Sequence, residues 1–160
     1  MQASPGWQVK NLDMQMDTEE TINQLTERFS SDTLGVDLVK GRRGIVSVSP
    51  SAIATIAGYL YKSEGFRFII ASALHTRRGF EIYYHFSLDS GGMILSLHVI
   101  LDSGKPQIES LSNMFSASNW IEREMHELFG INFLHHPNQE KLISEGNWAE
   151  GVYPYRKEFR

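Results

Sequence analysis

The chain has no cysteine, and that absence removes several chemistries at once. A thiolate nucleophile, a thiolate-ligated zinc, an iron–sulfur cluster held by this chain's own side chains and a disulfide scaffold all need one. No charge of one sign prevails either. Fifteen basic residues against 19 acidic ones leave a net charge of −4, which makes no general case for nucleic acid. The longest mostly apolar run, Ala52 to Tyr61, falls well short of the about 20 residues needed to cross a bilayer. The opening MQASPGWQVK lacks the basic-then-apolar order of a secretory leader. Together these point to a cytosolic protein, or one held at a membrane only through others, without direct insertion. GxxxxGK[ST], GxSxG and GxGxxG are all missing, so phosphate cradles, serine-hydrolase elbows and a dinucleotide fold have no support. Repeats and low-complexity tracts are missing too.

What is present reads as one globular domain over residues 1–160, with 41% hydrophobic and 21% charged residues. Residues 1–16 form a lead-in. Asp17 and Glu20 then frame a capping box for a helix over Thr18 to Ser30, with Ile22, Leu25 and Phe29 on one stripe. LGVDLV and GIVSVS are β-rich runs separated by the turn residues Lys40-Gly41-Arg42-Arg43. Ser49-Pro50 supplies an N-cap and a first-turn proline for a second helix, whose core face is Ile53, Ile56, Ala57, Leu60 and Tyr61. From Phe66 the period changes to two, and FRFIIASAL, FEIYYHFSL and MILSLHVIL form a three-strand meander in which Phe80, Ile82, Tyr84, Phe86 and Leu88 share a face. His85 and His98 lie within these strands and are taken as hydrogen-bonded structural residues. A third helix starts near Ser118 or Asn119, where Asn119 and Glu122 are spaced as a box, and stops at Gly130. Ile131 onward looks irregular, and residues 134–160 form an extended C-terminal segment. The fold class is therefore α+β, a largely antiparallel sheet (hairpin plus meander) packed with about three helices.

Charge is segregated along this order. Asp13 to Asp32 holds six acidic residues and one basic, while Lys40 to Arg78 holds seven basic and one acidic. Two solvated faces are the plain reading, and a docking patch is the sharper one.

Chemistry concentrates in WIEREMHELFGINFLHHP, Trp120 to Pro137. His126-Glu127 opens like a zinc-hydrolase helix, but the second histidine position of HExxH is Gly130, which cannot ligate. A metal-dependent hydrolase would have to recruit His126, His135 and His136 in a non-standard geometry. Glu122 and Glu124, two apart on a helix, point about 200° apart and cannot flank one bond. Trp120, Ile121, Met125, Leu128 and Phe129 make much of the helix apolar, so some of its charges must lie near buried surface. Arg123 is expected to be largely buried, in contact with a carboxylate.

The residue order W-x-E-R-E-x-x-E-L-F-G-I-x-F-x-x-H-P, followed by N-W-x-E-G-x-x-P-x-R-K-E-F, resembles the signature of the thirty-kilodalton (C-type) subunit family of respiratory complex I, the NADH:quinone oxidoreductase, and its relatives in membrane-bound [NiFe] hydrogenases and other complex I-like assemblies. The match runs from Trp120 to Phe159, with a weaker extension through Pro106, Ser110 and Leu111. It carries the family motif onto Trp120, Glu122, Arg123, Glu124, Phe129, Gly130, Ile131, Phe133, His136 and Pro137, then onto Trp148, Gly151, Pro154, Arg156, Lys157 and Phe159, as structural or interface positions. Glu127 stands where the family usually has aspartate, His135 where glycine is common, and Tyr155 where leucine is usual. The end at Arg160, directly after the motif, is similar to that of the shorter members.

The resemblance implies a non-catalytic subunit of a peripheral electron-transfer arm, on the cytoplasmic side of a membrane. It implies no cofactor in this chain, with iron–sulfur clusters, and a NiFe centre or flavin where the complex has one, in partner subunits. The partners implied are the large hydrogenase-like (49 kDa-type) subunit and the iron–sulfur subunits. A free-standing cytosolic adaptor and the hydrolase are the rival readings. In the C-terminal segment, Phe133, Trp148 and Tyr153 are expected to pack on the domain, leaving Arg156, Lys157 and Arg160 as a basic hook for a partner.

Overall fold

The computed structural model describes residues 18–39, 41–144 and 148–159. Asp17, Lys40 and Arg160, and with them the cap of the first helix and the tip of the hook, lie outside the described residues. Helix α1 covers residues 18–28 and buries Ile22 and Leu25. Strands β1 (Thr33–Val39) and β2 (Arg43–Val48) pair antiparallel, as the alternating apolar runs require. Ser49 then takes an extended backbone but makes no side-chain cap; Pro50 sets a single 3₁₀ turn, Pro50–Ala52, which leads into α2 (Ile53–Lys62). The buried residues of α2, Ile53, Ile56, Ala57 and Leu60, lie on the predicted face, whereas Tyr61, read as part of it, is exposed and meets Phe115 edge-on.

Strands β3 (Arg67–His75), β4 (Phe80–Leu88) and β5 (Met93–Leu101) form the meander. Phe80, Ile82, Tyr84 and Phe86 are fully buried on its helix side. The β3–β4 turn depends on Gly79: its φ is 132°, and a Cβ there would run into the Leu101 carbonyl.

Hairpin and meander merge into one sheet of order β1-β2-β5-β4-β3, in which β2 and β5 run parallel. This single parallel contact is what periodicity could not reveal. It places β5 at the centre, where MILSLHVIL is buried on seven of nine positions and on both faces.

The stretch read as irregular after Gly130 contains a strand. β7 (Asn132–Leu134) pairs in parallel with β6 (Gln107–Glu109), with Ile108 opposite Phe133, both buried. Three residues are too few for a period of two to stand out. Helix α3 (Ser118–Phe129) lies between, and its Met125, Leu128 and Phe129 join the core. Among the described residues no helix is long and apolar enough to cross a membrane.

Candidate functional site

Helix α3 ends where the sequence demands. Gly130 sits in the left-handed region, φ 74°, with its N–H on the His126 carbonyl. A side chain at Gly130 would also collide with the Tyr153 ring and the Arg156 guanidinium. The same glycine thus caps the helix and lets the C-terminal segment close over it.

The helix starts at Ser118, as read from the sequence, but its cap differs from expectation. Ala117 is the cap and Asn119 caps nothing with its side chain. Glu122, expected to complete a box with Asn119, turns inward and is fully buried. It accepts from Ser118 Oγ at 2.6 Å, Ser110 Oγ at 2.5 Å and the Leu111 N–H at 2.8 Å, which ties α3 to the segment after β6. Burial raises its pKa, opposed by the Ser110 and Ser118 hydroxyls and the Leu111 amide. Ser110 was legible through the family match, but Ser118 carried no signal beyond its place at the helix start.

Arg123 corrects a second expectation. It is half-buried and, among the described residues, makes no ion pair. Its Nε donates to the Glu140 carbonyl at 2.9 Å and its Nη2 to that of Lys141 at 3.0 Å. One turn on, Glu127 accepts the amides of Leu142 at 2.7 Å, Ile143 at 2.9 Å and Ser144 at 2.7 Å. The i,i+4 pair does not bridge to itself. It grips five consecutive residues of the segment that follows β7, the cation on carbonyls and the anion on amides. Burial pushes the Glu127 carboxyl upward, but the hydrogen bonds of Ser144, Ile143 and Leu142 prevail and hold it at about 2. Glu124 is exposed, and so is Trp120, at 68%.

The histidines do not converge. His126 Nδ1 donates to the Ile131 carbonyl at 2.8 Å, and the exposed His135, at φ 59°, pairs with Glu109 at 2.9 Å. His136 has a fully buried side chain; its Nδ1 accepts the Asn138 amide at 3.0 Å, so its Nε2 carries the proton given to the Asn119 carbonyl at 3.1 Å. Both of its ring nitrogens are therefore used. Among the described residues there is no group of three or more side chains placed to hold a metal.

The C-terminal segment is strapped down rather than hooked outward. Tyr155 N–H donates to the Leu128 carbonyl at 3.1 Å, and its ring meets Phe129 edge-on. Arg156 Nε donates to the Phe129 carbonyl at 2.7 Å, at the negative end of α3, while the guanidinium lies over the rings of Tyr153 and Phe80. Lys157 donates its N–H to His75 Nδ1 and its Nζ to the Thr76 carbonyl. Arg156 is therefore part of the fold, because α3 offers unpaired carbonyls next to an aromatic shelf. Phe133 is buried as expected, Tyr153 packs on Gly130, and Trp148 is partly exposed against Phe159. Pro137 and Gly151 are exposed and Pro154 half-buried; Gly151 turns at φ 79°. Ile131 is fully buried.

On the sheet's other face, His98 Nε2 lies 2.9 Å from Glu81 and its Nδ1 2.9 Å from Ser47, while Arg78, Thr76 and Tyr83 also donate to the carboxylate. His85 Nδ1 is 2.8 Å from Ser96 Oγ. Both strand histidines are hydrogen-bonded, as read from the sequence. The Glu81 network was not foreseen, since its members come from separate strands and a turn.

The motif thus defines an α+β domain whose signature side chains hold backbone in place. The chain belongs to the family of respiratory-chain NADH dehydrogenase 30 kDa subunits, whose model matches residues 46–160. It is 29% identical to the C/D subunit of the NADH-quinone oxidoreductase of Proteus mirabilis over 98% of its length and 27% of that protein. It is 28% identical to the corresponding C/D subunit of Erwinia tasmaniensis, with the same coverage of 98% and 27%. The chain therefore spans about a quarter of the length of these curated relatives. In fold it resembles a chain of an archaeal respiratory membrane complex, the membrane-bound sulfane sulfur reductase, with a TM-score of 0.79 at 21% identity over 90% of this chain and 86% of that one. It also resembles the trypsin-resistant fragment of Nqo5, with a TM-score of 0.63 at 20% identity over 75% and 97%.

Proposed function

We propose that this chain is a structural subunit of the peripheral arm of a complex I-like NADH dehydrogenase or related membrane-bound oxidoreductase. It docks on the large hydrogenase-like subunit, on the cytoplasmic side of the membrane, and supports electron transfer without a cofactor of its own. The observation that carries this reading is the use made of the family motif. Glu122, Arg123, Glu127, His136 and Arg156 bind the chain's own backbone and hydroxyls, so the polar side chains of the motif are spent on holding the shape of this domain. The hydrolase alternative needs His126, His135 and His136 on one ion, and each is instead bonded to a different segment.

The test is purification of the tagged chain from its native membranes, with identification of what accompanies it and elemental analysis of the isolated chain. A large hydrogenase-like subunit and iron–sulfur subunits should co-purify, and the isolated chain should be colourless with no stoichiometric metal. Recovery of the chain alone would favour a free adaptor. One equivalent of zinc or iron lost on His136→Ala would revive the hydrolase.

A further inference from the structure

The two edges of the five-stranded sheet are finished differently. At β3 the chain protects itself. Lys157 bonds to His75 and Thr76 at the strand's end, Tyr155 stands beside Ala71 and Ala73, and a bulge falls between Phe68 and Ile70. At β1 a bulge between Thr33 and Gly35 interrupts only the start of the strand, and among the described residues no C-terminal strap reaches it. Six of its seven residues are exposed, Leu34 at 69%, with Val36, Leu38 and Val39 also exposed, and Asp37 is its single charge. Strand β1 pairs with β2 on one side only, so among the described residues the peptide groups on its other side have no strand partner. Exposed apolar edges of this kind are normally blunted, because they recruit further strands.

Register places Val36 opposite the buried Val46 and Leu38 opposite Gly44, on the helix side where α1 lies, with Ile22 over Gly44. Val39 lies opposite Arg43 on the outer face. There it enters a shallow groove of about 420 Å³ with Ile45, Ile70 and Ile94, and Arg43 stands in that groove. Arg43 is exposed and, among the described residues, makes no ion pair. Covering this apolar surface without a counter-charge would strand a cation in a dry interface, so the occupant has to bring a carboxylate.

We propose that β1 is a docking edge: an extended segment of the large partner subunit adds to Thr33–Val39 as a sixth strand, apolar at alternate positions over Val36 and Leu38, with an Asp or Glu meeting Arg43. The proposal rests on the subunit reading above. A foreign polypeptide is favoured over a second copy because the curated relatives carry the matching stretch as about a quarter, 27%, of a longer C/D chain, which tethers other sequence beside this domain. Backbone pairing supplies the attachment, and the exposed side chains supply the register.

The experiment compares amide hydrogen exchange of residues 33–39 in the isolated chain and in the native complex, together with co-purification of Val36→Lys/Leu38→Lys and of Arg43→Glu. Exchange across β1 should slow at least tenfold on assembly. Both variants, folded by circular dichroism, should recover the complex at least tenfold less well than wild type, while Arg43→Lys retains it. Unchanged exchange together with wild-type recovery of both variants overturns the docking edge and leaves the subunit reading standing. Failure of the wild-type chain to recover any partner overturns both. A dimer of the isolated chain that Val36→Lys/Leu38→Lys dissolves would assign the edge to a second copy. Slow exchange in the isolated chain, released by deleting residues 1–17, would assign it to the chain's own N-terminus. The exchange measurement does not depend on any variant folding.

Discussion

Glu122 and Glu127 sit on one helix and are both buried, yet their environments drive them in opposite directions. Glu122 is raised, burial outweighing two hydroxyls and one amide, whereas Glu127 is held at about 2 by the donors of the 142–144 segment. The signs of their pH effects differ accordingly. A depressed carboxyl contributes stability that is complete above its ordinary value of 4.5 and is lost as pH falls toward 2, whereas a raised one costs stability as pH rises. Wild type should therefore lose melting temperature between about pH 4.5 and 2, and Glu127→Gln should flatten that slope. At pH 7, Glu127→Ala should cost about 3 kcal/mol, since it strands amides that a charged acceptor now satisfies. Equal slopes for wild type and Glu127→Gln would remove the carboxylate from the account.

At the scale of elements, α3 works as a clamp, and that role divides what the sequence could and could not tell. The hairpin, the meander, α2 and the Gly130 stop were legible because each is a local pattern, a period or a turn residue. The β2–β5 parallel contact and the β6–β7 pair were not, since they depend on which distant strands meet. Arg123 shows the same limit on one side chain: its charge and position predicted partners, but whether those would be carboxylates or carbonyls depended on where residues 140–144 return. The clamp predicts coupling. Arg123 and Glu127 hold adjoining peptide groups of one segment, so once either lets go the other has a looser target. A double-mutant cycle of Arg123→Ala and Glu127→Ala, followed by chemical denaturation, should show a combined loss smaller than the sum by about 1 kcal/mol, although the two side chains make no direct bond. Strict additivity would mean that the two grips act separately.

For the molecule as a whole, the last residues of the chain finish the core rather than trail from it. Arg156 bonds to Phe129 and covers Phe80, Tyr155 bonds to Leu128, and Lys157 reaches His75, at sequence separations of up to 82 residues. These contacts close α3 onto the β3 edge, and the 140–144 segment held by the clamp leads into them. Removing residues 138–160 would therefore uncover Phe129, Leu128 and the rim of Phe80, strip the Arg123 and Glu127 partners and leave the α3 carbonyls without Arg156. Because the segment is bound by many weak contacts rather than one strong one, its loss should act on cooperativity as well as on the midpoint. The truncated chain is expected to show a lower urea midpoint and a reduced m-value, with faster amide exchange confined to α3 and β3 while the Val46, Leu97 and Tyr84 centre stays protected. A truncated chain with the midpoint and exchange pattern of the full one would make the segment a passive tail, and the shape that a partner docks against would then have to be sought in the sheet alone.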